Sequence, residues 1–373
     1  MENEKPVRVG ILGAGSIGAF VGACLSHISS YNLEVTLVGR ESLIQSVEGA
    51  GNTLTLKSIV SSQQKQIDRF GSVVEVKAPK LIITTDHSAL ADMDVIVISL
   101  KATQTVSAGE SLREVLEQGN NKHCVIVSFQ NGVGNAEVLS KYLPNHVVLA
   151  SMVEFNAVWH RSSATFSRNT DGFITLENKD EVNQNQNFKV FHRSLSNAGF
   201  HINLVTTKEI QEVLYGKLLI NLFNPVNAVS GIPVPETLSF SKWRRIWAAL
   251  IEEALKVYAV AGIKPKKIKA NPKIVPTLLR LPTWLYSCIQ FFVTKMAKDS
   301  KSSMLQDLEN RRVTEIDYIN GQVVKLAKEH GTTAPLNEKM VALIHTIEKQ
   351  QENNGEAGFP LPPDEVKKFL GLS

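Results

Sequence analysis

The chain has 373 residues, 43% hydrophobic and 20% charged, with a formal charge of +4, so it is long enough for two domains that each bury a core. This balance excludes collagenous, disordered and low-complexity chains, and the dispersed lysines and arginines give no reason to expect a nucleic-acid partner. Cys24, Cys124 and Cys288 lie far apart without CxxC spacing. Neither a disulfide framework nor a metal site is therefore expected, and a reducing cytoplasm is the expected setting.

The opening MENEKPVRVG is charged and leads straight towards a strand, so no signal peptide is expected. Residues 7–12 form a β-branched run, followed at once by Gly13-Ala14-Gly15-Ser16-Ile17-Gly18 and then by small and apolar residues to 25. Strand, glycine turn and helix in this order make GxGxxG a dinucleotide motif. The first glycine permits the turn, the second lets backbone approach a pyrophosphate, and the third lets helix and strand pack closely. A glycine turn without a ligand is the alternative.

A second strand over 34–38 ends in Gly39-Arg40, where an NAD enzyme usually carries an acidic residue for the ribose 2′-hydroxyl. Arginine at that place favours a 2′-phosphate, hence NADP; Glu41 beside it, and the ordinary solvated surface arginine, leave the alternatives open. Strands are expected at 54–56, 73–76 and 81–84 around a polar SSQQK segment, and DVIVISL at 94–100 has the continuous apolar character of a central parallel strand. It ends in Lys101. CVIVSF at 124–129 is another buried strand, and it ends in Gln130-Asn131-Gly132. Ligands gather at the carboxyl ends of such strands, so Lys101 and Asn131 are candidate ligand contacts, with ordinary turn chemistry as the competing reading.

A strand is expected at 147–153, a hairpin over 165–176 with its turn at 169–172, and an amphipathic helix at 191–198. Strand signals fade after Val205, which predicts a dinucleotide domain over 1–206 and a helical domain over 207–373. In that second part KLLINLFNP at 217–225 sets Lys217, Asn221 and Asn224 at i, i+4 and i+7, on one face of an otherwise apolar helix that Pro225 is expected to end. Such groups face a polar cleft or pair with other protein groups; a snorkelling lysine and bridging amides are the bland alternative.

A helix is expected from about 243 to 261, ended by Gly262. The segment 265–301 is rich in proline, basic residues and aromatics, and its Trp284, Tyr286, Phe291 and Phe292 read as core or interface aromatics, with a helical insertion that caps a cleft or forms a partner-binding surface as the alternative. Its apolar run at 284–294 is shorter than the about 20 residues that cross a bilayer, so no membrane partner is expected. Ser303 with Gln306 reads as a capping box or as a ligand hydroxyl, and Glu315 as a partner of Arg311 or as a site carboxylate. A helix end at His330-Gly331 and a last helix at 337–349 complete the chain.

The blocks ILGAGSIGAF, SLKATQT, FQNGVGN, YGKLLINLFNPVNAV and SSMLQDLENRRVTEIDYING together resemble the ketopantoate reductase family (2-dehydropantoate 2-reductases) across the whole chain. The resemblance implies an α/β fold, an N-terminal Rossmann-like doubly wound sheet with a second, all-helical domain, and a cleft in which NADPH reduces a 2-oxo acid in pantothenate and coenzyme A biosynthesis. It implies that Gly13 to Gly18 hold the pyrophosphate, Arg40 and Lys101 the adenosine phosphate end, and Asn131 a place between nicotinamide and substrate. Lys217 matches the proton donor, Asn221 and Asn224 the substrate amides, Ser303 a substrate hydroxyl, and Glu315 the carboxylate near the nicotinamide ribose and the lysine. A homodimer is a further expectation. The chain departs from the pattern on the substrate side. The interval from Asn221 to Asn224 is one residue short, Val234 stands where another asparagine is expected with Asn227 a distant substitute, and the segment 265–301 is long.

Hydride transfer to a ketone leaves charge on oxygen, so a proton donor or cation is needed there; Lys217, its pKa lowered in an apolar setting, is expected to fill that role with Glu315 orienting it. Two alternatives stay open: an NADPH-dependent reductase of another 2-oxo or 3-oxo acid, and a non-catalytic NADP-sensing module.

Overall fold

The structure is a computed structural model, and it describes residues 5–27, 32–58, 74–77, 81–268, 270–293, 298–355 and 357–372. The SSQQK segment and the expected strand residue Val73 lie outside the described residues. The chain divides into two compact units, Met1–Ile210 and Gln211–Ser373.

The strands of the first unit are β1 (Val7–Leu12), β2 (Leu33–Val38), β3 (Thr53–Ser58), β4 (Val74–Lys77), β5 (Leu81–Thr84), β6 (Val95–Ile98), β7 (Val125–Ser128), β8 (Val147–Val153), β9 (Ala157–His160), β10 (Thr165–Arg168), β11 (Phe173–Glu177) and β12 (His201–Val205). Its helices are α1 (Ser16–His27), α2 (Glu41–Gly49), α3 (Thr105–Gln118), α4 (Asn135–Tyr142) and α5 (Gln186–Asn197). Among the described residues the main sheet runs β12-β11-β8-β7-β6-β1-β2-β5. β5, β2, β1, β6, β7 and β8 are mutually parallel, with β11 antiparallel to β8. Strands covered on both faces need apolar side chains in both directions, and Val9, Ile11, Val95, Ile96, Val97 and Ile126 are all fully buried. Each such side chain contributes roughly 1.5–3 kcal/mol. The chain leaves β1 towards β2 on one side and returns through β6 on the other, so the order of strands reverses at β1.

The expected hairpin over 165–176 does not form. β10 pairs with β9 and β3 in a separate sheet, order β4-β3-β10-β9, whereas β11 joins the main sheet. Buried Arg168 holds the link: its guanidinium donates to Thr170 O (3.1 Å) and Gly172 O (3.0 Å) and lies 4.5 Å over the Phe155 ring. A local turn signal at 169–172 therefore serves a crossing between sheets.

Beyond residue 206 the described residues form helices and no strand: α6 (Thr207–Asn221), α7 (Phe223–Ser230), α8 (Val234–Ser239), α9 (Ser241–Val260), α10 (Val275–Leu279), α11 (Thr283–Val293), α12 (Ser303–Glu309), α13 (Ile316–Glu329), α14 (Pro335–Asn354) and α15 (Pro363–Leu370). Pro225 does not end the helix that bears Lys217. The chain breaks at Leu222, and Pro225 sits in the first turn of α7, where its missing N–H has no intrahelical partner to lose. The expected last helix extends to Asn354 and is followed by α15, which opens with prolines and acidic residues and closes with lysines, a legible helix signature. Trp284 is 71% exposed, so it is not a core aromatic. Tyr286 instead covers the guanidinium of Arg244 at 4.3 Å, and the side chains of Phe291 and Phe292 lie outside the described residues.

Candidate active site

In the first unit β1 ends in a turn whose geometry requires glycine at 13 and 18. Gly13 has φ 99°, and a Cβ there would lie 2.7 Å from the Ser99 carbonyl carbon and 2.8 Å from Leu100 N. The turn is held by Gly13 N and Ala14 N donating to Val38 O at 2.9 and 3.1 Å. A Cβ on Gly18 would sit 2.4 Å from Gly13 O, so any other residue would push α1 off the turn. Gly15 differs: nothing lies within 4 Å of its added Cβ. The fold itself makes no steric demand for glycine at 15, whereas close approach of a ligand to the backbone at the start of α1 would. Ser16 and Ile17, half-buried, complete that first turn.

Neighbouring parallel strands end at one edge of the sheet, and the candidates follow their carboxyl ends in spatial order: Asn131 beyond β7, Lys101 beyond β6, the glycine turn beyond β1, Arg40 beyond β2. Three strand spacings separate the outer two, roughly 14 Å. Arg40 is exposed and occupies the N-cap position of α2 without a side-chain capping bond. Lys101 is half-buried in extended backbone, and Asn131 is exposed.

A buried network that is not legible in the sequence fixes the backbone at Lys101 and Asn131. Gln130 Nε2 donates to Thr105 Oγ1 (2.8 Å) and Lys101 O (3.3 Å), and its Oε1 accepts from Ser128 Oγ (3.1 Å). Asn135 Nδ2 donates to Asn131 O (2.8 Å), and Asn135 Oδ1 accepts from Thr105 Oγ1 (2.9 Å). These amides tie the ends of β6 and β7 together. Their only signal in the chain was polar side chains bordering two buried strands.

In the second unit α6 carries Lys217 and Asn221 one turn apart, both half-buried among Leu214, Leu218, Leu219 and Leu222. Asn224, also half-buried, lies in the first turn of α7 rather than on the same helix. Gly216 allows the chain at Lys266 to cross α6: an added Cβ would meet Lys266 O at 2.2 Å, and Lys266 N donates to Glu212 O at 2.8 Å. Trp247 closes the other flank, donating through Nε1 to Leu219 O at 3.3 Å and packing 4.9 Å from the Phe223 ring.

Ser302, not Ser303, caps α12, accepting from Leu305 N at 3.2 Å; Ser303 is exposed at the first helical position. Ser302 Oγ also lies 3.3 Å from Asn224 O, which brings Ser303 beside the start of α7. Asn227 is not a substitute substrate amide. It is fully buried, Oδ1 accepting from Ser302 N (2.9 Å) and Nδ2 donating to Ile232 O (2.8 Å) and Thr237 Oγ1 (2.9 Å), so both ends of the amide are engaged in the fold. Glu315 is 8% exposed at the N-cap position of α13, and Arg311 reaches Gly355 O at 2.9 Å. Among the described residues no cluster suited to a metal ion occurs, and no helix is long and apolar enough to cross a membrane.

Family models described as "Ketopantoate reductase PanE/ApbA" and "Ketopantoate reductase PanE/ApbA C terminal" match residues 9–181 and 209–348. A 2-dehydropantoate 2-reductase of Archaeoglobus fulgidus is 25% identical over 350 residues, covering 91% of this chain and 98% of the relative. A crystal structure of a PanE/ApbA family ketopantoate reductase from Ralstonia eutropha superposes with a TM-score of 0.73 at 23% identity, covering 93% of this chain and 100% of that one. The ternary structure of D-mandelate dehydrogenase with NADH and anilino(oxo)acetate superposes with a TM-score of 0.70 at 22% identity over the same shares.

Proposed function

This chain belongs to the ketopantoate reductase family, oxidoreductases acting on a CH–OH/C=O pair, and from that premise we propose that it reduces 2-dehydropantoate to pantoate with NADPH, in pantothenate biosynthesis. The observation that carries the reading is Lys217 and Asn221 one turn apart on the half-buried face of an apolar helix, in a chain that also holds an open glycine turn at the strand-order reversal.

The glycine turn suits a pyrophosphate, because Gly15 leaves the backbone approachable while Gly13 and Gly18 hold the turn tight. When bound, NADPH supplies the hydride. The protein's residues supply the rest. Arg40 and Lys101 would hold the adenosine phosphate end, Arg40 at the 2′-phosphate, while Asn131 would sit between nicotinamide and substrate. Lys217 donates a proton to the carbonyl oxygen as charge develops there, and Glu315 keeps the ammonium charged and aimed. Asn221, Asn224 and Ser303 donate neutral hydrogen bonds to the substrate carboxylate and hydroxyl.

Steady-state kinetics with 2-dehydropantoate and either NADPH or NADH test the reading. The expected result is turnover with at least a tenfold preference for NADPH, equivalent to about 1.4 kcal/mol. No turnover by a folded protein with either cofactor would remove it. A second reading, reduction of a different 2-oxo acid, is favoured by the engagement of Asn227 in the fold, which leaves Asn221 and Asn224 as the candidate amides. A panel of branched 2-oxo acids, followed by loss of NADPH absorbance, distinguishes the two.

A further inference from the structure

His345 on α14 places each ring nitrogen against a carboxylate. Nε2 is 2.9 Å from Asp317 Oδ1 on the first turn of α13, and Nδ1 is 2.8 Å from Glu348 Oε2 on its own helix. Ionised carboxylates only accept hydrogen bonds, so a ring that satisfies both must carry a proton on each nitrogen. The second oxygen of Glu348 accepts the Thr314 backbone N–H at 2.8 Å. Thr314 in turn accepts Ile316 N through its hydroxyl at 3.3 Å. The buried Glu315 is thus flanked on one side by a backbone N–H held by Glu348 and, two residues on, by a side chain held by His345.

We propose that His345 is a positioning residue for the Glu315 carboxylate, clamping residues 314–317 to α14 only while both ring nitrogens carry protons. This rests on the catalytic role given to Glu315 above. Burial alone would pull the imidazole pKa down, but the hydrogen bonds and charges of Asp317 and Glu348 outweigh it and the net direction is up. The charged groups facing the ring are Asp317 from α13 and Glu348 from α14. Loss of the proton leaves one carboxylate facing a lone pair, which releases one side of the clamp.

The test uses the full chain with 2-dehydropantoate and NADPH, comparing wild type, His345→Gln and Glu315→Gln across pH, with NMR titration of the His345 ring. In the wild type kcat should fall along an alkaline limb whose midpoint coincides with the His345 titration, above the ordinary histidine value. His345→Gln should lose that limb and show kcat reduced about tenfold below its midpoint, the cost of a small displacement of an acting group, with KM for NADPH unchanged. A ring that titrates at or below the ordinary value, or retention in His345→Gln of a limb with the midpoint of the His345 titration, as distinct from one set by Lys217 itself, overturns the proposal. Should His345→Gln fail to fold, Asp317→Asn removes one of the two charges and should move the limb to lower pH; an unmoved limb overturns the proposal equally. Undiminished kcat in Glu315→Gln would instead overturn the catalytic reading beneath it, whatever the NMR shows.

Discussion

Asn227 and Ser302 share a buried hydrogen bond across 75 residues of chain, Asn227 Oδ1 accepting the Ser302 N–H at 2.9 Å. It joins the body of α7 to the cap of α12, so the position of Ser303 relative to Asn224 depends on Asn227 as well as on the Ser302 hydroxyl at Asn224 O. Replacing Asn227 by Ala leaves the buried Ser302 N–H without this partner, whereas the Ile232 carbonyl keeps the Thr237 hydroxyl at 3.2 Å. The expected cost is about 1–3 kcal/mol, read from urea unfolding, the range for one unsatisfied buried group. Unchanged stability would show that water replaces the amide.

The glycine turn separates folding from binding. Gly15→Ala meets open space and should leave the unfolding midpoint within about 0.5 kcal/mol of wild type while raising KM for the dinucleotide about tenfold or more. Gly13→Ala meets the backbone of Ser99 and Leu100 at positive φ, and should destabilise the first unit itself. Equal effects of the two changes on stability would contradict the assignment of distinct roles.

Lys217→Ala should lower kcat by at least ~10²-fold, the low end of the usual acid–base range, while NADPH binding measured by fluorescence stays intact. Lys217→Arg keeps a charge but is a poor proton donor, and should recover little of the rate. Wild-type kcat in a folded Lys217→Ala protein would end its assignment as the proton donor.

Stability should carry the same pH signature as the proposed clamp. The folded-state pKa of His345 is raised, so its contribution is fully present below the unfolded value, about 6.5, and is lost as pH rises through the folded value. His146 and His192 act in the opposite direction: burial lowers their pKa, so the fold loses stability as pH falls through the unfolded value. Melting temperatures of wild type minus His345→Gln from pH 5.5 to 9 isolate the first effect, and the difference should shrink with rising pH. A difference that grows with pH would reverse the sign argued here.

Several features of the candidate site were legible because their signals are local. The positive φ at Gly13 and the approach of Gly18 to Gly13 O are local, although Ser99 and Leu100 also crowd Gly13, and DVIVISL announced a strand buried on both faces. Where the reading failed, a distant group won. Asn169 to Gly172 has the composition of a hairpin turn, yet Arg168 and the pairing of β11 with β8 draw the two strands into different sheets. Ser303 and Gln306 have capping-box spacing, but Asn227 seizes the backbone one residue earlier and makes Ser302 the cap.

By itself the chain determined an N-terminal α/β layer opening on a dinucleotide-type turn, a helical remainder, and a lysine one turn from an asparagine on an apolar helix. These depend on dihedral preferences and on periods of two and 3.6 residues, which short stretches carry in full. Only the tertiary structure decided that Gln130, Thr105 and Asn135 brace the ends of β6 and β7, that Asn227 belongs to the fold, and that His345 reaches across to Asp317. A buried polar group must find a partner, but nothing local says which one, because that partner is brought near only when distant segments pack.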